Sequence, residues 1–131
     1  DDVRDVLERA SARETAARVA AGAVAQQLLE AVGAAVTSHV RGIGEIALPD
    51  DRVVEFAEAA ALPADAPLRC VDAALEARMI ARIDEARTAG DTLGGTFEVI
   101  VRGLPLGLGS STQWDRTLAG RLARTSASSA T

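Results

Sequence analysis

Ser11 and Glu14, in the stretch "SARE", have the spacing of a capping box. In such a box the serine hydroxyl accepts from the amide three residues on, and the glutamate carboxylate reaches back to the serine N–H. Arg9 and Arg13 flank the same point. A helix N-terminus already carries roughly half a positive charge, and a cation there is disfavoured by roughly a few tenths of a kcal/mol. Two arginines at that end therefore make sense beside an anion. Backbone amides, the helix dipole and guanidinium forks together have the chemistry of a phosphate site. The alternative is that both arginines pair in water with Asp1, Asp2, Asp5, Glu8 and Glu14, and spacing alone does not separate the two readings.

The other candidates are plainer. Cys70 is the single cysteine, which excludes an internal disulfide and fits a small buried apolar residue. His39 is the single histidine; no acid–base partner is suggested near it in sequence, so it reads as a strand residue on a wetter face. Gly103, Gly107 and Gly109 do not match a P-loop spacing, and the chain has no lysine to reach a phosphate. Asp91 has no carboxylate or histidine neighbour, so no metal site is expected. Trp114 and Asp115, near a helix start, are expected to supply packing and a first-turn charge.

The elements that must position these groups follow from a chain of 131 residues, about one domain. The net charge of −5 and the isoelectric point near 4.8 disfavour a nucleic-acid partner, so any positive potential must be local. No apolar run approaches the roughly 18 residues of a membrane span, and no export segment is expected. All fourteen basic residues are arginine, which beside the alanine content reads as a bias in codon use.

Ala17, Ala21, Val24, Leu28 and Val32 recur at helical spacing, which predicts a packed amphipathic helix over Ser11–Val32, stopped by Gly33. Ala35–Ile46 alternates, with Val36 and Val40 opposite Thr37, His39 and Arg41, and predicts a strand. Asp50–Ala61 reads as a short acidic helix. Asp72–Ala89 reads as a longer one, with Leu75, Met79, Ile83 and Ala86 on one face and Gly90 after its end. Thr96–Arg102 alternates again, Phe97, Val99 and Val101 against Thr96, Glu98 and Arg102. A helix is expected over Gln113–Ala123, and residues 125–131 have the composition of a disordered tail. The order is helix, strand, helix, strand, an α/β (α+β) chain. Two strands alone are marginal, so further strands are expected from outside the chain.

The run "RASARETAARVAAGAVAQQLLE" at Arg9–Glu30 resembles the signature of the chorismate synthases. "VTSHVRGIGEI", "MIARIDEARTAGDTLGG" and "VRGLPLGLGSSTQWDRTLAGRLA" are similar to that family's later segments, in order. The resemblance covers most of the chain and about the family's middle third. It implies part of a β-α-β sandwich core over residues 1–124, and therefore an internal or truncated portion. It also implies a lyase that converts 5-enolpyruvylshikimate 3-phosphate to chorismate and phosphate with reduced FMN. NADPH is a candidate reductant, and a cytoplasmic homotetramer is implied for the complete enzyme, with no nucleic-acid or membrane partner. The family's FMN-contacting triplet falls on Arg9, Ala10 and Ser11, with Ala10 where many members carry serine; Arg13 is the candidate for neutralising a substrate or cofactor phosphate. The family's proton-donating histidines lie in "GESHG" and "PGHAD" motifs that do not occur here. His39 matches a non-catalytic strand position, and no catalytic residue is assigned. The sequence after Ala123 departs from the family, so the chain alone is expected to be inactive. The alternative is a catalytically dead remnant acting as an interaction module; a stand-alone anion-binding module ranks below it.

Overall fold

A computed structural model of the chain describes residues 3, 4 and 11–129, in two units. One unit, Val36–Arg102, holds a sheet and two helices. Strand β1 (Ala35–Ile43) pairs antiparallel with the short β2 (Ile46–Ala47), Gly42 opposite Ala47 and Ile43 opposite Ile46. Strand β3 (Gly95–Arg102) lies on the other side of β1, giving the order β2-β1-β3. The Gly44 amide bonds the Gly94 carbonyl at 2.9 Å while His39 meets Glu98 further along. Residue numbers thus rise on one strand as they fall on the other, so β3 also runs antiparallel to β1.

Helix α1 (Ala12–Ala31) belongs to the other unit; α2 (Phe56–Ala60) and α3 (Ala73–Ala89) belong to this one. The limits of α3 follow from its ends. Asp72 Oδ1 accepts from the Ala74 and Leu75 amides, and Gly90, at φ +70°, turns the chain away in the left-handed region that glycine enters without a Cβ clash. Its inner face carries buried Met79 and Ala86 with half-buried Leu75 and Ile83, the four residues expected there. Helix α2 is shorter than the expected Asp50–Ala61, because Asp50–Glu55 form a turn and an extended lead-in. Leu48, Val54 and Ala59 form a core cluster, joined by Val71, Leu75 and Ile100. Cys70 is buried as expected.

Arg69 sits in the left-handed region at φ 56°, uncommon for a residue with a long side chain. Its backbone carbonyl accepts from the Val40 amide at 3.1 Å. Its guanidinium donates to the carbonyls of Pro63, Ser38 and Ala59 at 3.2–3.5 Å, so one side chain ties the loop before α3 to β1 and α2.

On β3 the expected burial is reversed, while on β1 Val36 and Val40 are as half-buried as Thr37 and Arg41 and His39 is fully covered. Parity holds, but the polar side is the covered one. His39 is 2% exposed, and Glu98 and Ile100 are the partly covered residues of β3, whereas Phe97, Val99 and Val101 are exposed. The wetter face expected for His39 is therefore corrected. The side lined by His39, Arg41 and Glu98 satisfies its polar groups internally, and the apolar side of β3 finds nothing among the described residues to cover it.

The other unit comprises residues 1–35 and 103–131. Helix α1 starts on Ser11 as expected and ends with Gly33 at φ +82°. No residue of α1 is buried, so the expected packed stripe is bare: Val24, Leu28 and Val32 are exposed. The helix is supported locally by alanine propensity and by Glu14–Arg18 and Gln26–Glu30 contacts at i, i+4. The expected Gln113–Ala123 helix is interrupted. A 3-10 turn at Trp114–Arg116 is separated by extended Thr117 from α4 (Leu118–Ser129). Thr117 Oγ1 donates to the Trp114 carbonyl at 2.6 Å and accepts from the Gly120 amide at 3.0 Å. A Cβ on Gly120 would collide with the Trp114 carbonyl, so glycine is what lets the turn close on the helix. Helix α4 continues through Thr125–Ser129, where composition suggests an aperiodic tail.

Candidate functional site

Of the four residues expected at the anion site, Ser11 and Arg13 stand together at the mouth of α1; Arg9 and Ala10 lie outside the described residues. Ser11 is extended at φ −73°, ψ 142°, and its Oγ accepts from the Arg13 amide at 3.2 Å. Ser11 caps the helix, but neither bond of the expected capping box forms. The Glu14 amide bonds the Ser11 carbonyl, not the hydroxyl, and the Glu14 carboxylate accepts from Arg18 Nε at 3.2 Å, not from the Ser11 amide. An i, i+4 charge pair has outcompeted the reach back to the cap.

That outcome bears on the alternative pairing. Glu14 was one of five carboxylates available to Arg13, and it is engaged by Arg18 instead. The other four, Asp1, Asp2, Asp5 and Glu8, lie outside the described residues. Arg13 is exposed, in the first turn of a helix whose dipole favours a negative charge beside it.

A second constellation was not legible from spacing, because its members are 57 and 59 residues apart. His39 Nε2 meets Glu98 Oε2 at 3.0 Å, and Arg41 Nη1 donates to the same oxygen at 3.1 Å. Arg41 also donates to the carbonyls of Arg52 and Pro49, fastening β1 to the loop before α2. The hydrogen bond from Arg41, and then that from His39, holds the Glu98 carboxyl below the usual carboxylate range. A histidine oriented by a carboxylate has the outline of an acid–base dyad. The ring, however, is enclosed, its side chain 0% exposed, and Nδ1 faces the Val40 carbonyl at 3.3 Å. His39 therefore has a partner that sequence reading missed, and a structural role. Trp114, expected to supply packing, is 80% exposed.

This mixed helix-and-sheet architecture has known counterparts. The sequence pattern of the family described as chorismate synthase matches residues 1–130. Chorismate synthases from Beutenbergia cavernae, Leifsonia xyli and Thermobifida fusca are 58%, 56% and 52% identical over 125, 124 and 124 residues. Each match covers 94% of this chain and 31%, 31% and 32% of the relative, respectively. A solved structure described as a crystal structure of chorismate synthase superposes with a TM-score of 0.79 at 38% identity, over 97% of this chain and 40% of that one. The chain belongs to the chorismate synthase family, has its α+β fold, and spans about a third of the length of the curated relatives it matches.

Proposed function

We propose that this chain contributes to the chorismate synthase reaction, conversion of 5-enolpyruvylshikimate 3-phosphate to chorismate and phosphate by a carbon–oxygen lyase of aromatic amino acid biosynthesis. The observation that supports this reading is identity of 52–58% with chorismate synthases over nearly the whole chain. Reduced FMN, when bound, supplies electron density to the substrate's allylic system as phosphate leaves. The residues at the helix mouth fit such a group, because an anion there meets the α1 dipole and an Arg13 side chain that Glu14 does not claim. Arg9, Ala10 and Ser11 would hold the flavin, through backbone amides as well as side chains. Ser11 holds the first turn in place through the Arg13 amide, and Arg13 offers a guanidinium to phosphate oxygens.

Residues 1–124 are assigned as the partial chorismate synthase domain, within the span of residues 1–130 that the family pattern matches. The complete enzyme works as a cytoplasmic homotetramer, with NADPH the candidate reductant. With about a third of the relatives' length, the 131-residue chain binds reduced FMN but does not turn over. Anaerobic titration of the chain with reduced FMN tests this. Saturable binding that weakens about ten-fold in Arg13→Ala is expected, as for loss of one charged hydrogen-bond donor. Chorismate release by the chain alone would refute the inactive reading, and no flavin binding would refute the site.

The bare helix α1 and the exposed Phe97, Val99 and Val101 of β3 favour a second reading, an inactive interaction module. Absence of flavin affinity together with capture of a partner on these faces would select it.

A further inference from the structure

Apart from the three flavin candidates and Arg13, the unit of residues 1–35 and 103–131 carries a concavity that the proposed function does not use. A cavity of about 510 Å³ is lined by Trp114, Asp115, Arg116, Gly120, Arg121 and Arg124, among others. Three arginines and one aspartate line it, a surplus of two positive charges in a chain whose net charge is −5. Composition requires any positive potential to be local, and three of the fourteen arginines line this one cavity.

The arrangement is unfavourable without a ligand. Arg121 and Arg124 are three residues apart on α4, where like charges destabilise a helix by roughly 0.2–0.5 kcal/mol. Arg116 and Arg121 lie on either side of the α4 N-terminus, the end that disfavours cations. The salt bridges found among the described residues involve Arg18, Arg41, Arg52, Arg82 and Arg87 and none of these three. The positions are nevertheless built rather than loose. The Thr117 hydroxyl links the Trp114 carbonyl to the Gly120 amide, and the Ser110 amide bonds the Arg116 carbonyl at 2.9 Å. Trp114, 80% exposed, adds a planar apolar surface to the same rim.

We propose that this cavity binds a phosphate-bearing anion, held by the guanidinium groups of Arg116, Arg121 and Arg124. Guanidinium forks match phosphate oxygens bidentately, and three of them outmatch the single carboxylate of Asp115. Free phosphate and the phosphate of a nucleotide share this chemistry; a ring carried by the ligand would stack on the indole of Trp114.

The test uses the chain's single tryptophan as reporter. Trp114 emission is followed while inorganic phosphate, and separately adenosine monophosphate, is titrated at ionic strength matched with sodium chloride. A saturable change is expected, and the Arg121→Ala/Arg124→Ala double variant weakens it at least about ten-fold, as expected for loss of charged donors. Arg78→Ala, on α3 in the other unit, leaves it unchanged. Adenosine monophosphate binding more tightly than phosphate identifies a ring-bearing ligand; equal affinity identifies the free anion. Both support the site. No saturable change with either probe overturns it, as does a response unaltered in the double variant or reproduced by chloride. Far-UV circular dichroism confirms that the double variant keeps its helices, and because both arginines are exposed its folding is expected to be unaffected.

Discussion

The unit Val36–Arg102 and helix α1 use the same residue types and hold them by different means. In the first, Met79, Leu48, Val54 and Ala59 are buried, and polar side chains such as Arg41, Arg69 and Glu76 each close two or three bonds to backbone or to one another. In the second, twenty residues form a regular helix with nothing buried, held by its cap, its alanines and two side-chain pairs. Packing stabilises the first and local propensity the second. Nothing among the described residues covers α1, in a chain that spans about a third of the length of its relatives.

Truncation of a buried residue should separate the two most sharply. Met79→Ala, at a fully buried position, is expected to destabilise the Val36–Arg102 unit by about 2–5 kcal/mol, read as a shift in the urea midpoint. An unchanged midpoint would mean that this unit is no better packed than α1. Removing the carboxylate that gathers the strand side chains comes next. Glu98→Ala leaves enclosed His39 without its acceptor and should lower stability by about 1 kcal/mol, the lower end of the range for an orphaned buried group, because Glu98 itself is partly exposed.

The pH dependence of that contribution has a definite sign. The Glu98 carboxyl is held below its ordinary range, mainly by Arg41, so the folded state binds its proton more weakly than the unfolded state does. Its stabilisation is complete above the usual carboxylate range and is lost as pH falls through the lower folded-state value. Urea titrations from neutral to acid pH should show this loss, and Glu98→Gln should flatten it. A curve identical in both proteins would show that the network is not coupled to stability.

Smaller effects sharpen the comparison at the helices. Asp72→Ala removes the acceptor for two amides at the start of α3 and should lower stability by about 1 kcal/mol. Leu28→Ala, at a site 70% exposed on α1, should change stability by less than about 0.5 kcal/mol despite deleting as large a side chain as a core mutation would. A loss near that of Met79→Ala would show that α1 is covered in solution.

Helix ends were legible because their determinants are local: Ser11, Asp72, Gly33 and Gly90 cap helices where the sequence places them. The strands were legible in period and not in facing. Which side of β1 and β3 is covered depends on Glu98 meeting His39 across 59 residues, a contact that no window of sequence contains. The unformed capping box is the same lesson at short range, since Glu14 had two partners within one turn and took Arg18. At the candidate site, Ser11 and the exposed Arg13 stand where the motif places them, while the basic cavity beside Trp114 was hidden by an expected continuous helix that Thr117 divides.

The open edge of β3 has a consequence for the chain as a colloid. Thr96–Val101 is rich in β-formers and contains no proline; its one charge, Glu98, is turned to the covered face and engaged there. The outward face of Phe97, Val99 and Val101 thus lies on an edge strand whose one other charge is Arg102 at its end, a pattern that invites strand-to-strand self-association. Acid that protonates Glu98 also removes the segment's last charge, so loosening of the sheet and exposure of a sticky edge coincide.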